Sequence, residues 1–436
     1  MSIAAYPKYE SYRDSGVQWV GAIPSSWSVR RGKWLFKKMD RPVRVEDEIV
    51  TCFRDGVVTL RANRRTEGFT NALKEHGYQG IRKGDLVIHA MDAFAGAVGV
   101  SDSEGKSTPV YSACVPRIEG TVDPHFYAYY MRHIALSGLL VAMAKGIRER
   151  STDFRFNDFA DLALAAPSVE EQTAIVAFLD GKCAKIDEAV RIKEAQIKLL
   201  AERRQILIQQ AVTRGLNPDA PMKDSRIDWI GQIPAHWEVS KLKYVLDTWT
   251  GYAFSSGAFA SEGVPVIRIG DLIALGNVTT EKAVCLPETY MSFDTQFGVR
   301  QGDILMAMTG GTIGKVSVYA SDKPALLNQR VCAFRSKGKL PLQLALYWMQ
   351  TRTWEQHILL NSEGGAQPNI SDKATIEMPI VFPPRNSEIQ DVVNFIQIAT
   401  GKIDKAISTK KDQIAALNEY KTSLINAAVT GKIKVI

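Results

Sequence analysis

The sequence predicts an α+β fold in which two mixed α/β domains alternate with two long helices that pair as an antiparallel coiled coil, the whole being an internal two-fold repeat. Three observations predict it. An ordered series of motifs recurs far along the chain, two segments carry a seven-residue apolar period, and the stretches between them hold short apolar runs bounded by Gly and Asp. With 436 residues the chain is too long for a single core, so several domains are expected.

The repeat comes first. Asp14-Ser15-Gly16-Val17-Gln18-Trp19-Val20-Gly21-Ala22-Ile23-Pro24 returns 210 residues on as Asp224-Ser225-Arg226-Ile227-Asp228-Trp229-Ile230-Gly231-Gln232-Ile233-Pro234. Trp27 and Val29 return as Trp237 and Val239 at the same offset. At an offset of 218, Gly84-Asp85-Leu86 matches Gly302-Asp303-Ile304, and Tyr129-Tyr130-Met131 matches Tyr347-Trp348-Met349. At 217, Lys185-Ile186-Asp187 matches Lys402-Ile403-Asp404, and Ala211-Val212-Thr213 matches Ala428-Val429-Thr430. The boundaries that follow are a mixed domain over 1–166, a helix over 167–215, a mixed domain over 216–383 and a helix over 384–436.

Within the mixed domains, Val264–Ile269 and Gly302–Met308 read as strands. Phe126–Met143 and Leu340–Leu360 have helical spacing. The paired tryptophans Trp19, Trp27, Trp229 and Trp237 recur in both copies and are expected in the cores.

The helical segments carry a heptad seam. Ile186, Val190, Lys193, Ile197, Leu200, Arg204, Leu207 and Ala211 step alternately by four and three. The second copy gives Ile403, Ile407, Lys410, Ile414, Leu417, Lys421, Leu424 and Ala428. A cation occupies the third and sixth seam positions of each copy. Either it sets the register between two packed helices, or its long stem simply covers the seam edge. Pro218 and Pro221 are expected to end the first helical segment.

Composition narrows the class. Hydrophobic residues at 45% and charged residues at 23% are ordinary for a soluble globular chain, and no apolar run is long enough to span a membrane. Met1–Tyr12 lacks the apolar core of a signal peptide. Cys52, Cys114, Cys183, Cys285 and Cys332 show no paired spacing, which reads as reduced thiols in a cytoplasm. The net charge of +7 is spread over the chain, so any polyanion must be met by local patches.

Catalytic motifs fail one by one. Gly310-Gly311-Thr312-Ile313-Gly314-Lys315 has too few residues between its glycines for a phosphate loop, and Val316 stands where Ser or Thr is needed. Asn217-Pro218-Asp219 reads as a linker turn. His76, His89, His125, His133, His236 and His357 are scattered and read as surface or core side chains. No catalytic centre, no metal site and no cofactor are expected in this chain.

Binding residues are easier to nominate. Basic clusters suit phosphate, and polar loops suit base edges. In the first copy the candidates are Arg61, Asn63, Arg64 and Arg65, then Lys145, Arg148 and Arg150. In the second they are Thr309, Thr312 and Lys315, then Asn328, Gln329 and Arg330, then Gln367 and Asn369. Residues that read different sequences are expected to differ between the copies.

Two diverged domains alternating with two near-identical helices, each domain opened by Trp-x-Gly-x-Ile-Pro-x-x-Trp, resemble the specificity subunits of Type I restriction-modification enzymes. The likeness spans essentially the whole chain and includes Val266-Ile267-Arg268-Ile269-Gly270-Asp271-Leu272 and Ile370–Pro384. It implies that each target recognition domain reads one half of a split, asymmetric site in double-stranded DNA. It implies helices that act as a ruler and dock two methyltransferase subunits. Those would use S-adenosylmethionine to methylate adenine, and two restriction/translocase subunits using ATP and Mg would join them. One departure stands out: Gln172, just inside the first helical segment, is Ile389 in the second, so the two approaches could dock partners differently. A stand-alone DNA-binding protein, or a recognition subunit of a related restriction system, is the alternative. A tandem-domain scaffold without DNA is a further one.

Overall fold

The computed structural model describes residues 3–64, 67, 76–143, 153–273, 276–281, 283–338, 340–365 and 367–435. They form two compact units, Met1–Lys193 with Lys411–Ile436, and Glu194–Lys410. Each unit holds one mixed domain and a segment of each long helix.

In the first unit the central element is a four-stranded antiparallel sheet. Its order is Phe36–Met39, Tyr111–Pro116, Leu86–His89, Val98–Val100. Helix Pro124–Leu136 buries Phe126, Tyr127, Tyr130 and Met131 in the same core as Leu86, Ile88 and Val98. Its start is preset: Asp123 accepts a hydrogen bond from the His125 N–H, and Pro124 occupies the first turn. The helical spacing of Phe126–Met143 resolves into two helices, because Gly138 turns the chain before Leu139–Met143.

The second unit holds a sheet of the same order: Leu246–Thr250, Val331–Ser336, Ile304–Ala307, Val316–Val318. A second four-stranded sheet joins Val284–Leu286, Val264–Ile267, Ala325–Leu327 and Gly298–Val299, with one parallel pairing at Val266 and Leu326. Leu340–Leu360 also divides, into Leu342–Trp348 and Arg352–Leu360. The hydroxyl of Thr351 caps the second helix by accepting from the Trp354 N–H.

The repeated Gly-Asp motif is a structural fastener. Asp85 and Asp303 are almost fully buried. Each carboxylate accepts a backbone N–H three residues upstream, from Arg82 and Arg300, at 2.8 Å. Asp85 also binds the guanidinium of Arg41, and Asp303 that of Arg335 in a bidentate pair of 2.8 and 2.6 Å. Gly84 and Gly302 adopt φ of 88° and 92°, open to glycine at little cost.

The tryptophans divide. Trp27 and Trp237 are buried in the cores as expected, and Trp19 is half-buried. Trp229 is 39% exposed, which corrects the expectation of a core residue: a tight turn from Ile227 to Ile230 buries Ile230 and turns its neighbour outward. All five cysteines are free.

The long helices run Val169–Arg214 and Asn386–Val429. The first stops at Gly215, whose φ of 70° suits a C-terminal cap, ahead of Pro218 and Pro221. Gln172 is buried, donating to the Pro167 carbonyl and accepting from the Asp123 N–H. Ile389 is buried among apolar neighbours of the second unit, so one helix begins on a polar fastening and the other on an apolar one.

Burial along the helices follows the heptad. In the first unit Ile186 and Leu424 are buried and Val190, Ile414 and Leu417 half-buried. In the second, Ile403 is buried and Ile197, Leu200, Leu207 and Ile407 half-buried. Within the first unit the Lys421 ammonium donates to both carboxylate oxygens of Asp187 at 2.6 and 2.7 Å, and Lys193 donates to Gln413 at 2.7 Å. Within the second, Arg204 meets Asp404 at 3.2 Å and donates to Gln350 at 3.0 Å. The carboxylates of Asp187 and Asp404 are more than half exposed, so each pair is worth about 0.2–1 kcal/mol.

Replacing Asp303 with alanine removes two charge-assisted bonds and the turn bond together. Urea unfolding of the full chain should show a loss of roughly 2–3 kcal/mol in the second unit, with Asp303→Asn losing less because its amide oxygen still accepts from Arg300. An unchanged urea midpoint would contradict the fastener role.

Candidate functional site

The loops at one end of the second unit's central strands converge. Strand Ile304–Ala307 runs out at Met308, whose N–H donates to the Arg330 carbonyl at 3.0 Å. The Met308 carbonyl accepts from the Ile370 N–H at 3.1 Å. Thr309 bridges Asn369, and Gly310 N–H donates to the Pro368 carbonyl at 3.0 Å. Asn369 and Glu363 exchange a pair of backbone hydrogen bonds of 2.8 Å. The positions are therefore fixed by main-chain bonds, which leaves the side chains at liberty to meet a ligand.

Thr309, Gln329, Arg330, Gln367 and Asn369, with Met308, line an open cavity of about 390 Å³. Thr309 is half-buried and the other four polar side chains are exposed. Two amides that both donate and accept, one further amide, one hydroxyl and one guanidinium fork make a surface suited to planar hydrogen-bonding edges. Five of the eight residues nominated in this copy thus meet in one place. Thr312 and Lys315 lie on the following turn and Asn328 beside it, outside the cavity lining.

Tyr252 was missed by sequence reasoning. It is 47% exposed, its carbonyl accepts from the Gln329 N–H at 3.1 Å, and its ring packs against Phe254, Phe293 and Phe297 at 5.2–5.7 Å. The signal was Gly251: a Cβ there would lie 2.1 Å from the Leu327 carbonyl oxygen, so only glycine admits this approach.

In the first unit the Arg61–Asn63 turn follows strand Val58–Leu60. The Arg61 Nε donates to Thr51 at 3.4 Å and the Asn63 amide to Thr59 at 2.8 Å. Arg64 pairs with Asp55 at 2.7 Å and lies 4.7 Å over the Phe53 ring. These groups are engaged within the domain. Arg65, Lys145, Arg148 and Arg150 lie outside the described residues.

The histidines serve the frame. Burial pushes the imidazoles of His89, His133 and His357 down from the ordinary range. His89 accepts from the Asp92 N–H, and His357 Nε2 donates to the Ala374 carbonyl at 3.0 Å. Among the described residues no group of three or more His, Cys, Asp or Glu could hold a metal ion, and no helix is long and apolar enough to cross a membrane.

Residues 234–418 match the family described as Type I restriction modification DNA specificity domain. The chain is 27% identical over 282 residues to the Type I restriction enzyme MjaVIII specificity subunit of Methanocaldococcus jannaschii, covering 64% of this chain and 63% of that one. It is 26% identical over 244 residues to the EcoAI specificity subunit of Escherichia coli, covering 55% and 39%. The match thus spans under two thirds of the length of either relative. Among solved structures, a chain from a study of the assembly and conformational transition of the type I R-M system superposes with a TM-score of 0.69 at 15% identity, covering 93% of this chain and 98% of that one. The HsdS subunit from Thermoanaerobacter tengcongensis gives 0.50 at 15% identity, covering 94% and 98%. At such identity these structures speak for the fold alone.

Because Gln329, Arg330, Gln367 and Asn369 expose their side chains, and Gln329, Arg330 and Asn369 are held by backbone bonds, a fourfold alanine variant should keep its stability. Each change should move it by no more than about 0.5 kcal/mol. A thermal melt that drops by many degrees would show that the cavity is part of the frame.

Proposed function

We propose that the chain, whose residues 234–418 match the Type I restriction modification DNA specificity family, is the subunit that reads the DNA sequence for a Type I restriction-modification complex. Each mixed domain reads one half of a bipartite, asymmetric site in double-stranded DNA. The observation that carries this reading is the convergence of Thr309, Gln329, Arg330, Gln367 and Asn369 on one solvent-open cavity. An arginine fork matches guanine O6 and N7, and an amide matches adenine N6 and N7.

Arg61, Asn63, Arg64 and Arg65, with Lys145, Arg148 and Arg150, serve as phosphate anchors of the first half-site, and Thr312, Lys315 and Asn328 flank the reading loops of the second. Phosphate contacts position the protein and set its salt dependence, whereas base contacts choose the sequence. The Arg64–Asp55 pair tempers this anchor, because a phosphate must compete with a carboxylate 2.7 Å away.

The chain performs no chemistry of its own in this reading. The long helices pair as an antiparallel coiled coil within a two-fold repeat and dock two methyltransferase subunits, which use S-adenosylmethionine. Two restriction/translocase subunits using ATP and Mg complete the complex, in the cytoplasm where the DNA lies. The Asp187–Lys421, Lys193–Gln413 and Arg204–Asp404 contacts support the pairing, each within its own unit. Exposed Leu199, Ile206, Phe395 and Ile398 on the helices of the second unit support docking, since apolar side chains in solvent favour a protein partner.

Two outcomes test the reading. Replacing Gln329 and Arg330 with alanine, in the chain expressed with its methyltransferase, should relax the second half of the methylated motif and leave the first intact. The cost is about 1–3 kcal/mol per lost bidentate contact, and a methylome with both halves unchanged would exclude the cavity. Four residues inserted beside Leu200 lengthen the helix by about 6 Å, against about 3.4 Å of rise per base pair. The unread gap should widen by one or two base pairs with both half-sites preserved. A folded, active insertion variant that keeps the original gap would refute the ruler.

A further inference from the structure

The first unit contains a second cavity, of about 560 Å³, at the end of its own central strands. The main-chain bonds that frame it repeat those of the second unit. The Ala90 N–H donates to the Val110 carbonyl at 3.0 Å, as Met308 does to Arg330. The Ala90 carbonyl accepts from the Phe154 N–H at 3.0 Å, as Met308 accepts from Ile370. The ladder register agrees: Leu86 faces Cys114 where Ile304 faces Phe334. By these equivalences Met91 stands in the place of Thr309, Pro109 of Gln329, Val110 of Arg330, and Asp153 of Asn369.

The lining chemistry has changed while the frame has not. Lys38, Met91, Ser112, Asp153, Arg155 and Asn157 line this cavity. Lys38, Met91, Asp153, Arg155 and Asn157 are exposed. The Arg155 Nε donates to Asp153 at 2.6 Å, which holds the guanidinium in one orientation beside a carboxylate acceptor. The Arg155 N–H is itself held by Asp158 at 2.8 Å, so the side chain starts from a fixed backbone point.

We infer that this cavity is the base-reading surface of the first unit, taking the major-groove edges of one half-site, with Arg155, Asn157 and Asp153 as its polar readers and Met91 as an apolar contact. An arginine suits guanine, an amide suits adenine, a carboxylate accepts from the cytosine amino group, and an apolar side chain meets the thymine methyl. The same frame carrying a different lining is what two readers of different sequences require. The Arg61–Asn63 turn, whose groups bond within the domain, is left to phosphate. The inference rests on the proposed DNA-reading function.

The test uses the full chain expressed with its methyltransferase partner in a host whose methylated motif is profiled. An Asp153→Ala, Arg155→Ala, Asn157→Ala variant removes the readers without orphaning either member of the Asp153–Arg155 pair. It should degenerate the first half of the motif and leave the second half unchanged, with affinity for a duplex carrying the site falling at least tenfold. Asn157→Asp, which keeps the size of the side chain and removes its amide donor, should alter preference at one position of that half only. An unchanged motif in both variants would overturn the inference while the Gln329 and Arg330 variant still relaxed the second half-site. Loss of both half-sites in Asn157→Asp would also overturn it. No methylated motif dependent on the unaltered chain would overturn the DNA-reading function itself, and the inference with it.

Discussion

A carboxylate with almost no access to water begins the central strand of each unit, and the arrangement of the loops depends on it. Left unpaired, such a group would cost several kcal/mol, so the turn that brings the upstream N–H to it and the arginine that meets it must form together. Asp85 takes Arg41, just beyond the edge strand, whereas Asp303 takes Arg335 from the neighbouring strand. Different arginines thus serve one carboxylate position. With the start of the strand fixed, its far end delivers Ala90 or Met308 to a fixed place, and the loops that line each cavity are hung from those two residues by paired backbone bonds.

This division explains how the lining of each cavity can change without endangering the fold. Thr309, Gln329, Arg330 and Asn369 are located by their main chains, as is Val110, while Met91 and Asp153 adjoin Ala90 and Phe154, which are bonded in the same way. A backbone hydrogen bond is indifferent to the side chain that carries it, proline donors excepted. The side chains at these positions therefore diverge freely, while Trp27 and Trp237, packed in the cores, do not. Ile23 and Ile233, in equivalent hairpins, are likewise fully buried in both units.

The long helices follow a different logic. Their seams are mostly half-buried, and three of the cations within them, Lys193, Arg204 and Lys421, meet exposed carboxylates or an amide. Such contacts add little stability at the surface. The charged ends of Lys193, Lys421 and Arg204 all reach polar partners within their own units.

The sequence by itself determined the repeat, the heptad seams, the core pair Trp27 and Trp237 and the strand that follows each Gly-Asp, because these depend on periods and spacings along the chain. It also named Thr309, Gln329, Arg330, Gln367 and Asn369, as polar residues in loops. Only the tertiary structure decided that these five share one cavity, that Thr312, Lys315 and Asn328 stand outside its lining, and that Trp229 faces outward. Tyr252 and the cavity beside Arg155 were illegible for the same reason. Their parts come from segments distant in sequence, and the hydrogen bonds that join them run between backbone atoms, which every residue type shares and no motif records.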